Sequence, residues 1–208
     1  LLTGAGRGFS SGADLVAPRP TDADDPRENL RDYYNPCYQL LRNLEIPTIA
    51  AVNGPCAGAG MSLALTCDLV IAAKSAYFLS AFINIGLVPD AGASWLIPNL
   101  IGNAKAAGMM LLGEKIPAEQ AERWGLIWKC VADEELQSEA GKLATKLAGG
   151  PTKSYGYVKQ LIRAAAQNSL PSQMQMESEF QALVKLTEDV GEARKAFGEK
   201  RPPVFKGQ

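Results

Sequence analysis

The stretch TIAAVNGPCAGAGMSLALTCDLVIAA, residues 48–73, contains the succession of elements that decides the fold class. Thr48 to Val52 is short and partly β-branched, which predicts a strand that ends at the turn Asn53-Gly54. The small residues and leucines from Gly58 to Thr66 predict a buried helix, and Asp68 to Ala73 predicts another strand. A strand followed by a glycine-rich turn, a helix and a second strand indicates an α/β core.

Apolar residues with the spacing of a helix occur on both sides of this stretch. An apolar stripe from Tyr33 to Leu44 predicts a helix that ends before Pro47. Beyond Asn103 there are few strand signals, and the last third is predicted to be helical. Its two clearest stripes are Ala140, Leu143, Ala144, Leu147 and Val158, Leu161, Ile162, Ala165. The predicted organisation is an α/β core over 1–148 and a helical region over 149–208, with the boundary at the turn Gly149-Gly150-Pro151.

The composition limits the kinds of function that the chain can have. The sequence has 208 residues, 47% of them hydrophobic, and a net charge of -1, which gives no general attraction to nucleic acid or to an anionic membrane. The four cysteines form no Cys-x-x-Cys pair and are predicted to be reduced core thiols. No apolar run reaches the roughly 18 residues of a membrane span, and no signal peptide is recognised. We therefore expect a soluble, cytoplasmic protein without a nucleic-acid or membrane partner.

The absence of histidine is the most restrictive feature of the composition. It excludes a Ser-His-Asp or Cys-His pair and any His-ligated metal within this sequence, so proton transfer must fall to carboxylates, Lys, Tyr or Cys. The segment from Ala17 to Asn29 has no apolar period and is predicted to be a mobile surface loop. The first residues, Leu1 to Gly4, read as the end of a buried strand without an initiating Met, so we expect that N-terminal sequence is missing.

Two glycine-rich segments are candidates for ligand binding. The first runs from Gly4 to Leu15 and the second from Asn53 to Gly60. Glycine permits unusual backbone angles and close approach of a ligand, and free amides at the start of a helix can receive an oxyanion. The alternative is that each segment is only a tight turn. Neither fits a Rossmann fingerprint, and no Gly-Lys-Ser or Gly-Lys-Thr of a P-loop occurs.

Asp90 places a carboxylate among apolar residues at the start of a predicted helix. Burial raises the pKa of a carboxyl group and helix-start amides lower it, and both effects are used to tune catalytic acids. Spacing alone favours a simpler role for Asp90 as the N-cap of that helix.

The order of these motifs resembles that of the crotonase family, which comprises enoyl-CoA hydratases and isomerases. The matching segments are Gly8 to Leu15, Ile46 to Gly60, Cys67-Asp68, Leu87 to Gly92, Trp124 to Ile127 and Lys200 to Phe205. The resemblance covers nearly the whole chain. It implies a spiral of strand-strand-helix turns with C-terminal helices that build trimers, usually paired as hexamers. The family's earliest strands and helix have no counterpart in this sequence.

The resemblance also implies how the site works. The backbone amides of Ala13 and Ala59 would form an oxyanion hole for the thioester of an acyl-CoA. The two positions where the family's hydratases carry glutamates hold Ser62 and Phe82, so hydration of a double bond is not expected. Asp90 occupies the position of the catalytic acid in several of the family's isomerases. The expected reaction is a proton shift through an enolate, with no metal and no cofactor other than the CoA of the substrate.

The remaining binding residues follow from the same resemblance. The CoA and thioester are expected along Phe9, Ser11, Gly12, Ala13, Leu15, Gly58 and Ala59. Phe82, Ile85, Leu87 and Trp95 are candidates for the acyl pocket, although each fits a plain core residue equally well. Phe197 and Lys200 are candidates for contact with the CoA of a neighbouring subunit, whereas for Lys200 a solvated surface charge is the favoured alternative.

Three further segments narrow the choice of substrate class: Tyr34 to Pro36, Ser75 to Phe82 and Trp124 to Trp128. Among the family's isomerases they most resemble those that act on a ring epoxide of an arylacetyl-CoA. The alternatives are a Δ3,Δ2-enoyl-CoA isomerase, an enoyl-CoA hydratase, or a catalytically silent binder of acyl-CoA. A second alternative class, an RNA-binding member of the family, is disfavoured by the balanced charge.

Overall fold

The structure, a computed structural model, describes residues 1–16 and 27–208. These residues form two compact units: the first comprises Leu1–Asn43 and Thr48–Ala140, and the second comprises Leu44–Pro47 and Gly141–Gln208. The surface loop predicted from Ala17 to Asn29 lies outside the described residues over 17–26. Asn29 itself is not in a loop, because it begins a turn of π-helix, Asn29–Tyr34.

The first unit contains two small sheets. Four parallel strands are paired in the order β1-β2-β4-β7, and three further strands are paired in the order β3-β5-β6. The strands are β1 (Leu2–Thr3), β2 (Ile49–Val52), β3 (Cys56–Ala57), β4 (Leu69–Ala73), β5 (Tyr77–Leu79), β6 (Ile116–Pro117) and β7 (Lys129–Val131). In the central pair Ile49 lies opposite Leu69 and Val52 opposite Ala72.

The centre of the parallel sheet is buried on both faces. All four residues of β2 are buried, as expected of a parallel strand that is covered on both sides. The predicted strands of residues 48–73 are thus confirmed. β1 is also a strand, but Leu2 is 39% exposed. β1 is exposed rather than buried as predicted, because among the described residues it pairs only with β2.

The helices of the first unit include the predicted buried helix after the glycine-rich turn. They are α1 (Asn35–Asn43), α2 (Ala59–Thr66), α3 (Ala93–Leu112) and α4 (Ala118–Trp124), with 3₁₀ turns at Ala81–Ile85 and Asp133–Glu135. α1 confirms the helix predicted before Pro47, yet it contains no buried residue, and Leu40 on its stripe is 71% exposed. Cys37 is exposed as well, so the prediction of four core thiols was wrong for this residue.

β6 and β7 were not predicted from the sequence. They have two and three residues, which is too short for a period of two to be recognised. β7 pairs with β4 in the parallel sheet, so it extends the core beyond Asn103.

The second unit is helical, as predicted. Its helices are the last part of α5 (Leu136–Ala148), then α6 (Thr152–Ala165), α7 (Leu170–Val184) and α8 (Glu188–Glu199). The buried carboxylate of Asp189 accepts hydrogen bonds from the Lys206 and Gly207 N–H groups at 2.8 and 3.0 Å, which ties the C-terminal segment to α8. The division at residue 148 stays a prediction. No helix among the described residues has both the length and the apolar character needed to cross a membrane.

Candidate active site

The two glycine-rich segments lie side by side and are joined by backbone hydrogen bonds. The Phe9 and Ser10 N–H groups donate to the Pro55 carbonyl at 3.0 and 3.1 Å, and the Ala57 N–H donates to the Ser10 carbonyl at 2.9 Å. The Asn53 side chain also accepts from the Gly4 N–H at 3.0 Å. The turn after β2 is therefore held against the loop after β1, although the two are about forty-five residues apart in sequence.

Gly12 brings the first segment within van der Waals contact of the start of α2. It has φ 98°, and a Cβ atom at this position would lie 3.1 Å from the Ala57 carbonyl oxygen and 3.3 Å from the Ala59 nitrogen. A glycine is required for so close an approach in this backbone conformation. Ala13 follows directly and is exposed, whereas Ala59 is the first residue of α2 and is buried.

Ala13 follows Gly12 directly, so the approach of Gly12 brings the chain at Ala13 near the start of α2. The first N–H groups of a helix have no acceptor within the helix. Within the described residues neither the Ala13 nor the Ala59 N–H donates a backbone hydrogen bond. Gly58, the N-cap of α2, has φ 53° and ψ -130°, a conformation that L-residues rarely adopt. The roles of Ala13 and Ala59 as donors to an anionic oxygen stay predictions.

Asp90 lies in the turn that leads into α3, but it is not the N-cap. The N-cap is Gly92 at φ 83°, preceded by Ala91 at φ 48°, and the Asp90 main-chain carbonyl accepts from the Ala93 N–H at 2.9 Å. The capping role favoured by sequence spacing was therefore wrong, because two successive residues with positive φ turn the chain between Asp90 and the helix.

The Asp90 carboxyl group is partly buried and incompletely hydrogen-bonded. Its Oδ1 atom is buried and has no hydrogen-bond partner among residues 1–16 and 27–208. Burial raises the pKa of this carboxyl above its ordinary value. An unpaired buried carboxyl oxygen is costly and is characteristic of groups that exchange protons with a ligand.

Two side chains make hydrogen bonds around the start of α2. Ser62 Oγ, in α2, lies 3.3 Å from the Asp90 main-chain carbonyl and 3.4 Å from the Gly58 carbonyl, and can donate to either. The Tyr38 hydroxyl, in α1, donates to the Ala59 carbonyl at 2.7 Å. The sequence pattern predicts no role for Tyr38 and distinguishes Ser62 only by the lack of a carboxylate. No signal in the periodicity of α1 distinguishes Tyr38 from its neighbours, because the predicted stripe runs through other positions.

A cavity of about 370 Å³ opens beside the turn that carries Asp90. It is lined by residues of α1, the end of α2, the turn before α3 and the start of α3: Asn35, Tyr38, Gln39, Arg42, Thr66, Ala91, Gly92, Trp95 and Leu96. The Arg42 guanidinium lies 4.7 Å from the centre of the Trp95 ring, a cation–π geometry. A volume of this size and a partly aromatic lining are typical of a small-molecule site.

The predicted acyl-pocket residues do not all meet at this cavity. Trp95 lines it, whereas Phe82 is 5% exposed in the core and Leu87 is 48% exposed away from the lining. Ile85 is also exposed. The binding roles of Phe82 and Leu87 stay predictions.

The residues predicted to hold CoA fall into both units. Phe9 and Gly12 are half-buried, and Ser11 and Leu15 are exposed on the first segment. Phe197 is 87% exposed on α8, and Lys200, at the end of that helix, has φ 54°. Asp14 accepts from the Val16 N–H at 2.9 Å within a local turn, and Asp68 accepts from the Thr48 N–H at 2.7 Å, a tertiary contact across 20 residues. No cluster of three metal-ligating side chains occurs among the described residues.

The two positions at which the sequence motifs place the family's hydratase glutamates are buried. Ser62 is 0% exposed and Phe82 is 5% exposed, and neither side chain carries a carboxylate. Asp90 carries one, but it does not line the cavity, which is lined by the two residues that follow it, Ala91 and Gly92.

The chain belongs to the enoyl-CoA hydratase/isomerase family and matches the sequence model of that family over residues 1–208. Membership of the family means that its function is that of a crotonase-type isomerase or hydratase of CoA thioesters. It is 46% identical to the 1,2-epoxyphenylacetyl-CoA isomerase of Escherichia coli K12, over 100% of this chain and 80% of that protein. It is 44% identical to a probable enoyl-CoA hydratase of Rhodobacter capsulatus, with the same coverage of 100% and 80%.

A solved structure confirms the crotonase-type fold. The enoyl-CoA hydratase of Bacillus anthracis superposes with a TM-score of 0.93 at 33% identity, over 100% of this chain and 80% of that chain. The α/β spiral and the helical C-terminal part implied by the sequence motifs are thus present.

Proposed function

We propose that this chain is an acyl-CoA isomerase that moves a proton through a thioester enolate, and that its substrate is 1,2-epoxyphenylacetyl-CoA. The observation that carries the proposal is the Asp90 carboxyl group, which has a buried oxygen without a partner in the described residues and a raised pKa. The identity with the isomerase of E. coli supports the choice of substrate. The aromatic side chains of Tyr38 and Trp95 in the cavity are suited to a ring-bearing acyl group.

In the proposed mechanism the two backbone amides and the carboxylate have separate tasks. The Ala13 and Ala59 N–H groups donate to the thioester oxygen, which becomes negatively charged when the adjacent carbon loses its proton. Each such donor contributes on the order of 3 kcal/mol to the transition state. Asp90 takes the proton from the carbon next to the thioester, the carbon–carbon bond shared by the ring and the epoxide opens to give the seven-membered oxepin, and Asp90 returns the proton to a ring carbon. Substrate and product therefore have the same composition. No further cofactor or metal enters this scheme.

The same geometry argues for isomerisation over hydration. Addition of water requires a group that activates the water and a group that supplies a proton to carbon, and the family's hydratases use two glutamates for this. Here both positions are buried and hold Ser62 and Phe82. A single carboxylate at Asp90 is sufficient for a proton shift.

The CoA part of the substrate is proposed to lie along the first glycine-rich segment. Phe9, Ser11, Gly12 and Leu15 lead to the Ala13 amide, and Gly58 admits the thioester at the start of α2. Phe197 and Lys200 are proposed to contact CoA in a neighbouring subunit of a homotrimer or homohexamer, and the exposure of the Phe197 ring supports this.

The test is conversion of epoxyphenylacetyl-CoA and of a 3-enoyl-CoA by the wild-type protein and by Asp90→Asn. The matched control is Glu119→Gln, which neutralises an exposed carboxylate that pairs with Lys74. We expect turnover of the epoxide, its loss in Asp90→Asn with unchanged affinity for the CoA ester, and full activity in Glu119→Gln. Turnover of the 3-enoyl ester alone would identify the alternative isomerase. Binding without turnover of either ester by the wild type would refute the isomerase proposal.

A further inference from the structure

Tyr38 makes a contact that links α1 to the start of α2. Its hydroxyl lies 2.7 Å from the Ala59 carbonyl oxygen, the usual length of an O–H···O hydrogen bond. The two residues are 21 positions apart, so the bond is tertiary. It fixes the same residue whose N–H is the proposed oxyanion donor.

The backbone next to this contact has an unusual conformation that hydrogen bonds hold in place. Gly58 precedes Ala59, has φ 53° and has no side chain. The Gly58 N–H donates to the Leu79 carbonyl at 2.9 Å, and the Gly58 carbonyl accepts from the Met61 N–H at 3.0 Å. These bonds restrain the peptide that carries the Ala59 N–H, and the hydrogen bond from Tyr38 adds a restraint on the peptide at the other side of Ala59.

The surroundings of Tyr38 keep its hydroxyl a donor. Burial raises the pKa of the phenol, and the neighbouring Tyr34 and the negative charge of Asp90 raise it further. The phenol therefore remains protonated throughout the neutral range and has a proton to donate to the Ala59 carbonyl.

Tyr38 also lines the cavity beside the turn that carries Asp90. The same cavity is lined by Ala91 and Gly92, the residues that follow Asp90. Tyr38 thus contacts both the cavity proposed for the acyl group and Ala59, the proposed oxyanion donor.

We infer that Tyr38 is a positioning residue for the reaction: its hydroxyl holds Ala59 in the orientation in which the N–H of that residue meets the thioester oxygen. This inference rests on the proposed function. The acyl group that packs on the ring and the amide that stabilises the enolate are then connected through one side chain.

The test uses Tyr38→Phe, which keeps the ring and the cavity wall and removes only the hydroxyl. Tyr157→Phe is the matched control, because that tyrosine packs on Phe180 in the helical second unit, with ring centres 4.6 Å apart, and loses the same atom. A net hydrogen bond corresponds to a factor of about three to ten, so we expect kcat of Tyr38→Phe to fall by that factor with KM unchanged. Tyr157→Phe should remain within about twofold of wild type.

A binding measurement separates positioning from packing and does not depend on turnover. Acetoacetyl-CoA places an enolate oxygen in the site, whereas a thioether analogue of the acyl-CoA has no carbonyl oxygen. Tyr38→Phe should weaken binding of acetoacetyl-CoA about three- to tenfold and leave binding of the thioether unchanged. Equal weakening of both ligands, or no weakening of acetoacetyl-CoA, would overturn the inference. If the wild type turns over neither ester, the proposed function fails, while this comparison still decides the role of Tyr38.

Discussion

Replacing Gly12 by alanine should disable the site through the backbone alone. The new Cβ would lie 3.1 Å from the Ala57 carbonyl oxygen and 3.3 Å from the Ala59 nitrogen, below the roughly 3.5 Å of a relaxed contact. The two segments must separate by a few tenths of an ångström, and the φ of 98° strains any L-residue. Because the displaced atoms include the nitrogen of the proposed oxyanion donor, we expect kcat to fall about tenfold to a hundredfold.

Gly6→Ala is the control that isolates this contact. Gly6 also has positive φ, at 73°, but nothing lies within 4 Å of the position of its Cβ. Both variants should lose about 1–2 kcal/mol of unfolding free energy from backbone strain, measured by urea denaturation. Only Gly12→Ala should lose activity toward the acyl-CoA. If the two variants had the same kcat within about twofold, the argument from the Gly12–Ala59 approach would be refuted.

Two further predictions concern the turn that carries Asp90. Burial raises the pKa of the Asp90 carboxyl in the folded state, so the protonated form of Asp90 favours folding. This contribution to the unfolding free energy is complete below the unfolded-state pKa of about 3.9 and is lost as the pH rises through the folded-state pKa. Asp90→Asn should therefore have a higher urea midpoint than wild type at pH 7, and this difference should become smaller near pH 3.5. A difference that does not change with pH would show that the Asp90 carboxyl does not have a raised pKa in the folded state. Ala91 has φ 48°, so Ala91→Gly should raise the unfolding free energy by about 0.5–1 kcal/mol, and a lower urea midpoint would show that the positive φ carries no strain.

The sequence was sufficient to predict the elements that have a clear period and the segments with special backbone chemistry. The strands and the helix of residues 48–73 differ clearly from one another in composition, and glycine clusters occur where two segments of the chain approach closely. Both predictions are confirmed by β2, α2 and β4 and by the contacts between Gly12 and Ala59. The short strands β6 and β7 had no readable period, and the exposure of β1 depends on its place at the sheet edge.

The parts of the site that sequence could not supply are those made by contacts between distant elements. The Tyr38–Ala59 hydrogen bond depends on how α1 packs, and periodicity does not specify a partner. The position of Asp90 relative to α3 was misjudged for a different reason. An Asp followed by Ala and Gly fits an N-cap, but Ala91 adopts a positive φ that alanine rarely takes, and this moves the cap to Gly92. The cavity likewise combines residues of α1, α2 and α3 that no local pattern connects.

The division of labour in the site explains which substitutions can change its chemistry. The proposed oxyanion donors are backbone N–H groups, so the identity of the side chains at Ala13 and Ala59 matters little as long as the backbone conformation is kept. The proposed proton transfer, in contrast, depends on the position of a carboxylate. Ser62, which the sequence motifs place at one of the hydratase positions, is buried, and its Oγ lies 3.3 Å from the Asp90 main-chain carbonyl and 3.4 Å from the Gly58 carbonyl. A glutamate there would bury a charge and remove a hydroxyl that lies beside the Asp90 turn, which is costly without a compensating partner. On the proposed mechanism, the side chain at this hydratase position therefore packs beside the turn of the isomerase acid.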